Sequence, residues 1–135
     1  MKVYLAGGMR TEWRERVKRT VQDVSFLDPT MHGLTDPKEY TAWDIAAITK
    51  SDFVLAYFEA TNPIGFNLAF ELGIAYQLKK PIILVNERFV DNTRPISMLC
   101  ETCITVTTLE AGMNALQDLI DERLPSWWWL GMYGY

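Results

Sequence analysis

One histidine, two cysteines and no long apolar run are what this sequence has least of, and each scarcity removes a class of protein. His32 stands alone, and Cys100 and Cys103 form a single C-x-x-C far from it in sequence. That set cannot complete a four-ligand zinc site, so no metal and no cofactor are expected. A redox pair of the thioredoxin kind belongs in the turn before a helix. Cys103 is instead expected to open a strand, and the two thiols are read as incidental. No window approaches the roughly eighteen uninterrupted apolar residues of a membrane span. The apolar start at residues 3–6 is too short for a secretory signal and runs into glycines. A cytoplasmic protein without a membrane partner is expected. Excess positive charge is also missing: the formal net charge is -4. The one dense basic stretch, residues 10–19, is interleaved with Glu12 and Glu15 and reads as a solvated helix face. A nucleic-acid polymer is therefore not an expected partner.

What is present is an ordinary globular composition, 49% hydrophobic over 135 residues, enough for one domain with a real core. Short β-type runs alternate with longer helical ones. Residues 3–6 form an apolar run stopped by Gly7 and Gly8, as expected of a buried strand. Thr11 can cap a helix in which Trp13, Val17, Val21 and Val24 recur at helical spacing. A weak strand at 25–27 ends at Asp28-Pro29, and a turn-rich loop leads into a helix near 38–49. Residues 52–58 are the strongest strand, apolar enough to be buried on both faces of a parallel sheet. A long apolar helix (66–78), a strand (81–85), a polar loop (86–95), a last strand (103–107) and an amphipathic helix (109–124) follow. The alternation predicts an α/β fold with a parallel sheet, as a single catalytic domain over 1–124. The tail, 125–135, carries three consecutive tryptophans that cannot all face one core, and is read as a subunit contact.

Ligands of such sheets bind outside the carboxyl ends of the strands, which puts residues 7–10, 59–66 and 86–97 on one rim. On the helix 66–78, Glu71 is the only charge among Leu68, Phe70, Leu72, Ile74 and Tyr76. A buried lone carboxylate costs several kcal/mol unless something pairs with it. A structural ion pair with Arg10 or Arg94 accounts for it, as does partial exposure at the helix edge, or a nucleophile or general base facing the rim. Gly73, which costs about 1 kcal/mol against alanine in a helix, suggests close backbone packing nearby. Asp44 is a surface aspartate or the second of two carboxylates of the kind glycosyl chemistry uses.

Val3-Tyr4-Leu5-Ala6-Gly7-Gly8-Met9-Arg10, Asp44 with Asp52 eight residues on, Phe70-Glu71-Leu72-Gly73-Ile74-Ala75-Tyr76 before Lys80-Pro81, and Arg94-Pro95-Ile96-Ser97-Met98 form an ordered set. In order and spacing the set resembles the nucleoside 2-deoxyribosyltransferase-like superfamily, which holds transferases and deoxynucleoside 5′-monophosphate N-hydrolases. The resemblance implies a flavodoxin-like (Rossmann-like) three-layer sandwich with a five-stranded parallel sheet. It implies Glu71 as the nucleophile at C1′, Tyr4 as the hydroxyl that orients it, and Asp44 as the group that contacts the sugar or assists proton transfer. It also implies a nucleoside or nucleotide as small-molecule partner and a homodimer in which a neighbouring subunit completes each site.

Subclass features diverge. Transferases commonly carry an aspartate where this chain has Gly65, and an asparagine where it has Ser97. Serine at the latter position, a first loop like Gly7-Gly8-Met9-Arg10, and the run Glu59-Ala60-Thr61-Asn62-Pro63 resemble the hydrolases. Glycine amides and an arginine suit a phosphate. Against this, Phe66-Asn67-Leu68-Ala69-Phe70 is bulkier than the hydrolase pattern, and the aromatic tail is similar to that of some transferases. The substrate-binding set expected is Gly7, Gly8, Met9, Arg10, Asn62, Gly65, Asn67 and Ser97. The expected reaction is hydrolysis of a nucleotide, with base exchange or simple nucleotide binding as the alternatives.

Overall fold

The structure is a computed structural model and describes residues 1–9, 11–61, 65–88 and 97–122, with the side chain of Ser97 outside that description. The strands β1 (Lys2–Gly7), β2 (Ser25–Leu27), β3 (Phe53–Phe58), β4 (Ile82–Asn86) and β5 (Ile104–Val106) form one sheet in the order β2-β1-β3-β4-β5. Every pairing is parallel. The helices α1 (Trp13–Thr20), α2 (Pro37–Lys50), α3 (Phe66–Gln77), α4 (Ser97–Glu101) and α5 (Leu109–Ile120) cover it. This is the flavodoxin-like three-layer arrangement that the alternation and the resemblance imply.

Alternation along the central strands builds two cores. Val3, Leu5, Leu55, Tyr57, Ile83 and Val85 face α1 and α5, meeting Trp13, Val17 and Leu116. Tyr4, Ala6, Val54, Ala56 and Leu84 face α2 and α3, meeting Ile48, Leu68 and Leu72. Burial on both faces is why 53–58 is nearly free of polar residues. Helix α5 begins on a true cap, since the Thr108 side chain accepts from the Ala111 amide at 3.1 Å.

Several sequence expectations are corrected. Thr11 does not cap α1: the cap position is Glu12, without a side-chain bond, and the helix ends at Thr20, short of Val24. The basic run 10–19 is not wholly solvated, because Arg14 is 3% exposed. Asn86 closes β4 rather than opening a loop, and a short helix begins at Ser97. Gly73 does not mark close packing, since a Cβ there would meet nothing within 4 Å. Arg10, Asn62, Arg94 and the tail 125–135 lie outside the described residues.

Candidate active site

The order of the sheet places a switch point between β1 and β3, where successive connections leave in opposite directions and open a crevice. A cleft of about 790 Å³ lies there, floored by Gly7, Gly8 and Met9 and walled by α2 and α3. Tyr4 projects from β1 under α3, fully buried, and its hydroxyl donates a hydrogen bond to Glu71 Oε2. The unexplained charge of the apolar helix therefore has a partner, and it is a phenol.

Burial pushes the Glu71 carboxyl up to about 7; the Tyr4 hydrogen bond opposes this, nearby Asp44 adds to it, and Arg14 offsets part of it. Asp44 is also raised, by burial first, with His32, Arg14 and Tyr4 pulling the other way. Tyr4 is held in its protonated form by burial and by the charge of Glu71. Two carboxyls that line the cleft thus adjoin a fully buried phenol, and none of the three rests at its solution value.

Asp44 Oδ1 is buried without a hydrogen-bond partner. It faces His32 Nε2 across 3.8 Å, too far for a hydrogen bond. His32 Nδ1 accepts from the Leu34 amide at 2.9 Å, so in the neutral ring the proton sits on Nε2, toward Asp44. The ring stands edge-on to Trp43, with centroids 4.9 Å apart. In the sequence His32 stands out only as a lone metal-type ligand. Its presence in the turn-rich approach to the Asp44 helix was the available signal. Among the described residues no group of three or more His, Cys, Asp or Glu side chains is placed to hold a metal ion.

Such a site offers a carboxyl held by a phenol, a second carboxyl with an unfilled oxygen, and an imidazole beside it. That inventory suits substitution at an acetal-like carbon. A sequence profile of the family described as nucleoside 2-deoxyribosyltransferase like matches residues 1–89, about two thirds of the chain. The chain belongs to this family. No curated protein matches the sequence. Among solved structures, a CMP N-glycosidase from Clostridium botulinum is similar at 19% identity and a TM-score of 0.59, over 86% of this chain and 98% of that one. A 2-deoxyribosyltransferase from Bacillus psychrosaccharolyticus is similar at 24% identity and 0.51, over 63% and 72%. A conserved protein from Enterococcus faecalis V583 is similar at 15% and 0.64, over 92% and 99%. These likenesses are of fold.

In this deoxyribosyltransferase-like chain, Gly7, Gly8, Met9, Asp44, Asn67 and Glu71 all line the cleft. Gly65 does not: it packs on Phe58, and a Cβ there would lie 2.5 Å from that ring. Arg88 covers Phe58, with its guanidinium carbon 5.3 Å from the ring centroid. An acidic side chain at position 65 therefore requires Phe58 to move. Phe66 and Phe70, one helical turn apart, present largely exposed rings to the cleft. Their apolar faces suit stacking on a flat heteroaromatic base. Both cysteines are free thiols, and burial pushes Cys103 up to about 12, far from a reactive thiolate.

Proposed function

We propose that the protein hydrolyses the N-glycosidic bond of a nucleoside 5′-monophosphate, deoxyribo or ribo, through a glycosyl ester on Glu71. The observation that carries this reading is the Tyr4–Glu71 hydrogen bond inside a cleft at the sheet switch point. Ionised Glu71 attacks C1′, the C1′–N bond breaks, and the base departs and takes a proton. Water then adds its hydroxyl to C1′ and gives up its other proton, replacing the one the base took; this frees the carboxylate and yields the sugar 5-phosphate. Asp44 Oδ1, buried and unfilled, is suited to accept a hydroxyl of the sugar or to handle the proton. His32 Nε2 lies 3.8 Å from that oxygen, close enough to favour charge on Asp44 without filling the oxygen. The turn Gly7–Met9, with Arg10 and the Ser97 side chain from outside the described part, would receive the phosphate.

Base exchange is the alternative, and the packing of Gly65 against Phe58 weighs against it, because the usual transferase acid fits at that position only if the Phe58 ring moves. The deciding experiment incubates the protein with nucleosides and their 5′-monophosphates, with and without a second free base. Base release from monophosphates alone is the expected result. A newly formed nucleoside would replace hydrolysis by transfer, and tight binding without any base release would leave only a binding module. Glu71→Ala is expected to remain folded and release no base; full activity in that variant would end the proposal.

A further inference from the structure

Strand β2 is short. It pairs with β1 only at Lys2, Val3 and Tyr4, yet β1 runs on to Gly7. Past Tyr4 no strand among the described residues pairs with the outer edge of β1, and residues two apart on a strand turn their carbonyls to the same edge. Leu5 and Gly7 are such a pair. Unmet carbonyls at a buried edge are costly.

Arg14 fills the gap. Its Nε and Nη2 donate to the Leu5 carbonyl at 3.3 and 3.1 Å, and Nη2 also donates to the Gly7 carbonyl at 3.0 Å. Nη1 donates to the Gly8 carbonyl at 2.8 Å, and Trp13 Nε1 donates to the same oxygen at 3.0 Å. The guanidinium stacks on the Trp13 ring, 4.5 Å from its centroid, and pairs with Asp28 at 3.6 Å, the residue that follows β2. Burial pushes Asp28 up, but hydrogen bonds from Lys18 and Thr30 outweigh it and hold the carboxyl below its usual value. The counter-ion is therefore secure.

This capture fixes a direction. The peptides are trans, so each N–H points away from the carbonyl preceding it. With the Gly8 carbonyl drawn toward α1, the Met9 amide points to the opposite face, where Gly8 and Met9 floor the cleft. We infer that Arg14 is a positioning residue for the substrate: it stands in for the missing length of β2 and holds the Gly7–Met9 turn so that the Met9 amide receives the 5′ end. This rests on the nucleotide reading of the cleft. Arg14 itself touches no substrate.

The test compares Arg14→Lys, which keeps the charge and loses the fork, with Arg14→Gln, which loses both. Arg14→Lys is expected to raise KM for the monophosphate about tenfold while kcat stays within about threefold, the signature of lost binding rather than lost chemistry. Arg14→Gln should additionally move the acid limb of the pH profile upward, because Arg14 lowers Glu71. Amide spectra supply a readout free of turnover: the wild-type Met9 signal should shift with ribose 5-phosphate and lose that response in Arg14→Lys. Unchanged KM and an unchanged Met9 response in a folded Arg14→Lys would overturn the inference, as would a wild-type Met9 amide indifferent to ribose 5-phosphate. Should Arg14→Lys not fold, Asp28→Asn, which loosens the guanidinium without removing it, is read by the same two outcomes. If the wild type releases no base from any substrate, the hydrolase reading falls, and the Met9 titration still decides the role of Arg14.

Discussion

The Tyr4 hydroxyl carries one proton and lies near two carboxyls. It donates to Glu71, and its proximity also lowers Asp44. Since a donor to a carboxylate favours the ionised form, Tyr4 keeps Glu71 ionised over a wider pH range than burial alone permits. Turnover by ionised Glu71 should rise with pH through about 7. Tyr4→Phe is expected to cut kcat by about tenfold to a hundredfold and to move that limb to higher pH, read from a kcat–pH profile. A limb that stays in place or moves down would detach Tyr4 from the ionisation of Glu71. Glu71 and Asp44 were legible in sequence because a charge in an apolar helix and its neighbour ask for explanation. His32 was not, since its role depends on a through-space approach to Asp44 that no spacing encodes. Arg14 was hidden for the opposite reason: it sits in a run of charges that looks like an ordinary wet face, and only the shortness of β2 draws it inward.

At the scale of elements, the turn after β1 is constrained from both sides. Gly7 has φ of +146°, and a Cβ there would sit 2.5 Å from the Tyr57 carbonyl oxygen on β3. No side chain fits between these two strands where they part. Gly7→Ala is expected to cost about 2 kcal/mol or more in a urea unfolding series. A variant as stable as the parent would show that β1 and β3 can separate there without loss. Gly65→Asp should likewise lower the melting temperature, since Phe58 must move, and should not confer base exchange. A new nucleoside formed by that variant would show that the acid alone separates the two chemistries. The strands and α2, α3 and α5 were readable because their apolar periods are long and bounded by turn residues. The ends were not: Glu12 rather than Thr11 opens α1, and α4 is too short for a period to declare itself.

For the whole molecule, the site is a source of instability. The Glu71 carboxyl titrates near 7 in the folded chain against 4.5 for a free glutamate. Between those values the folded protein holds a proton that the unfolded chain has released, so stability is fully present below about 4.5 and falls as pH rises toward 7. Glu71→Gln should therefore raise the melting temperature at pH 8 and change it little at pH 4. An equal effect at both values would mean the carboxyl is not strained by its setting. No helix among the described residues is long and apolar enough to cross a membrane.

The main chain of a sheet edge is the same whatever residues occupy it, which shelters a paired strand from most substitutions. Beyond Tyr4 the outer edge of β1 is completed by a guanidinium instead, so that stretch of the fold is written in one codon. A single exchange at position 14 can reshape the floor of the cleft while leaving every strand and helix in place. Relatives that differ there are the ones in which to look for a differently shaped cleft floor.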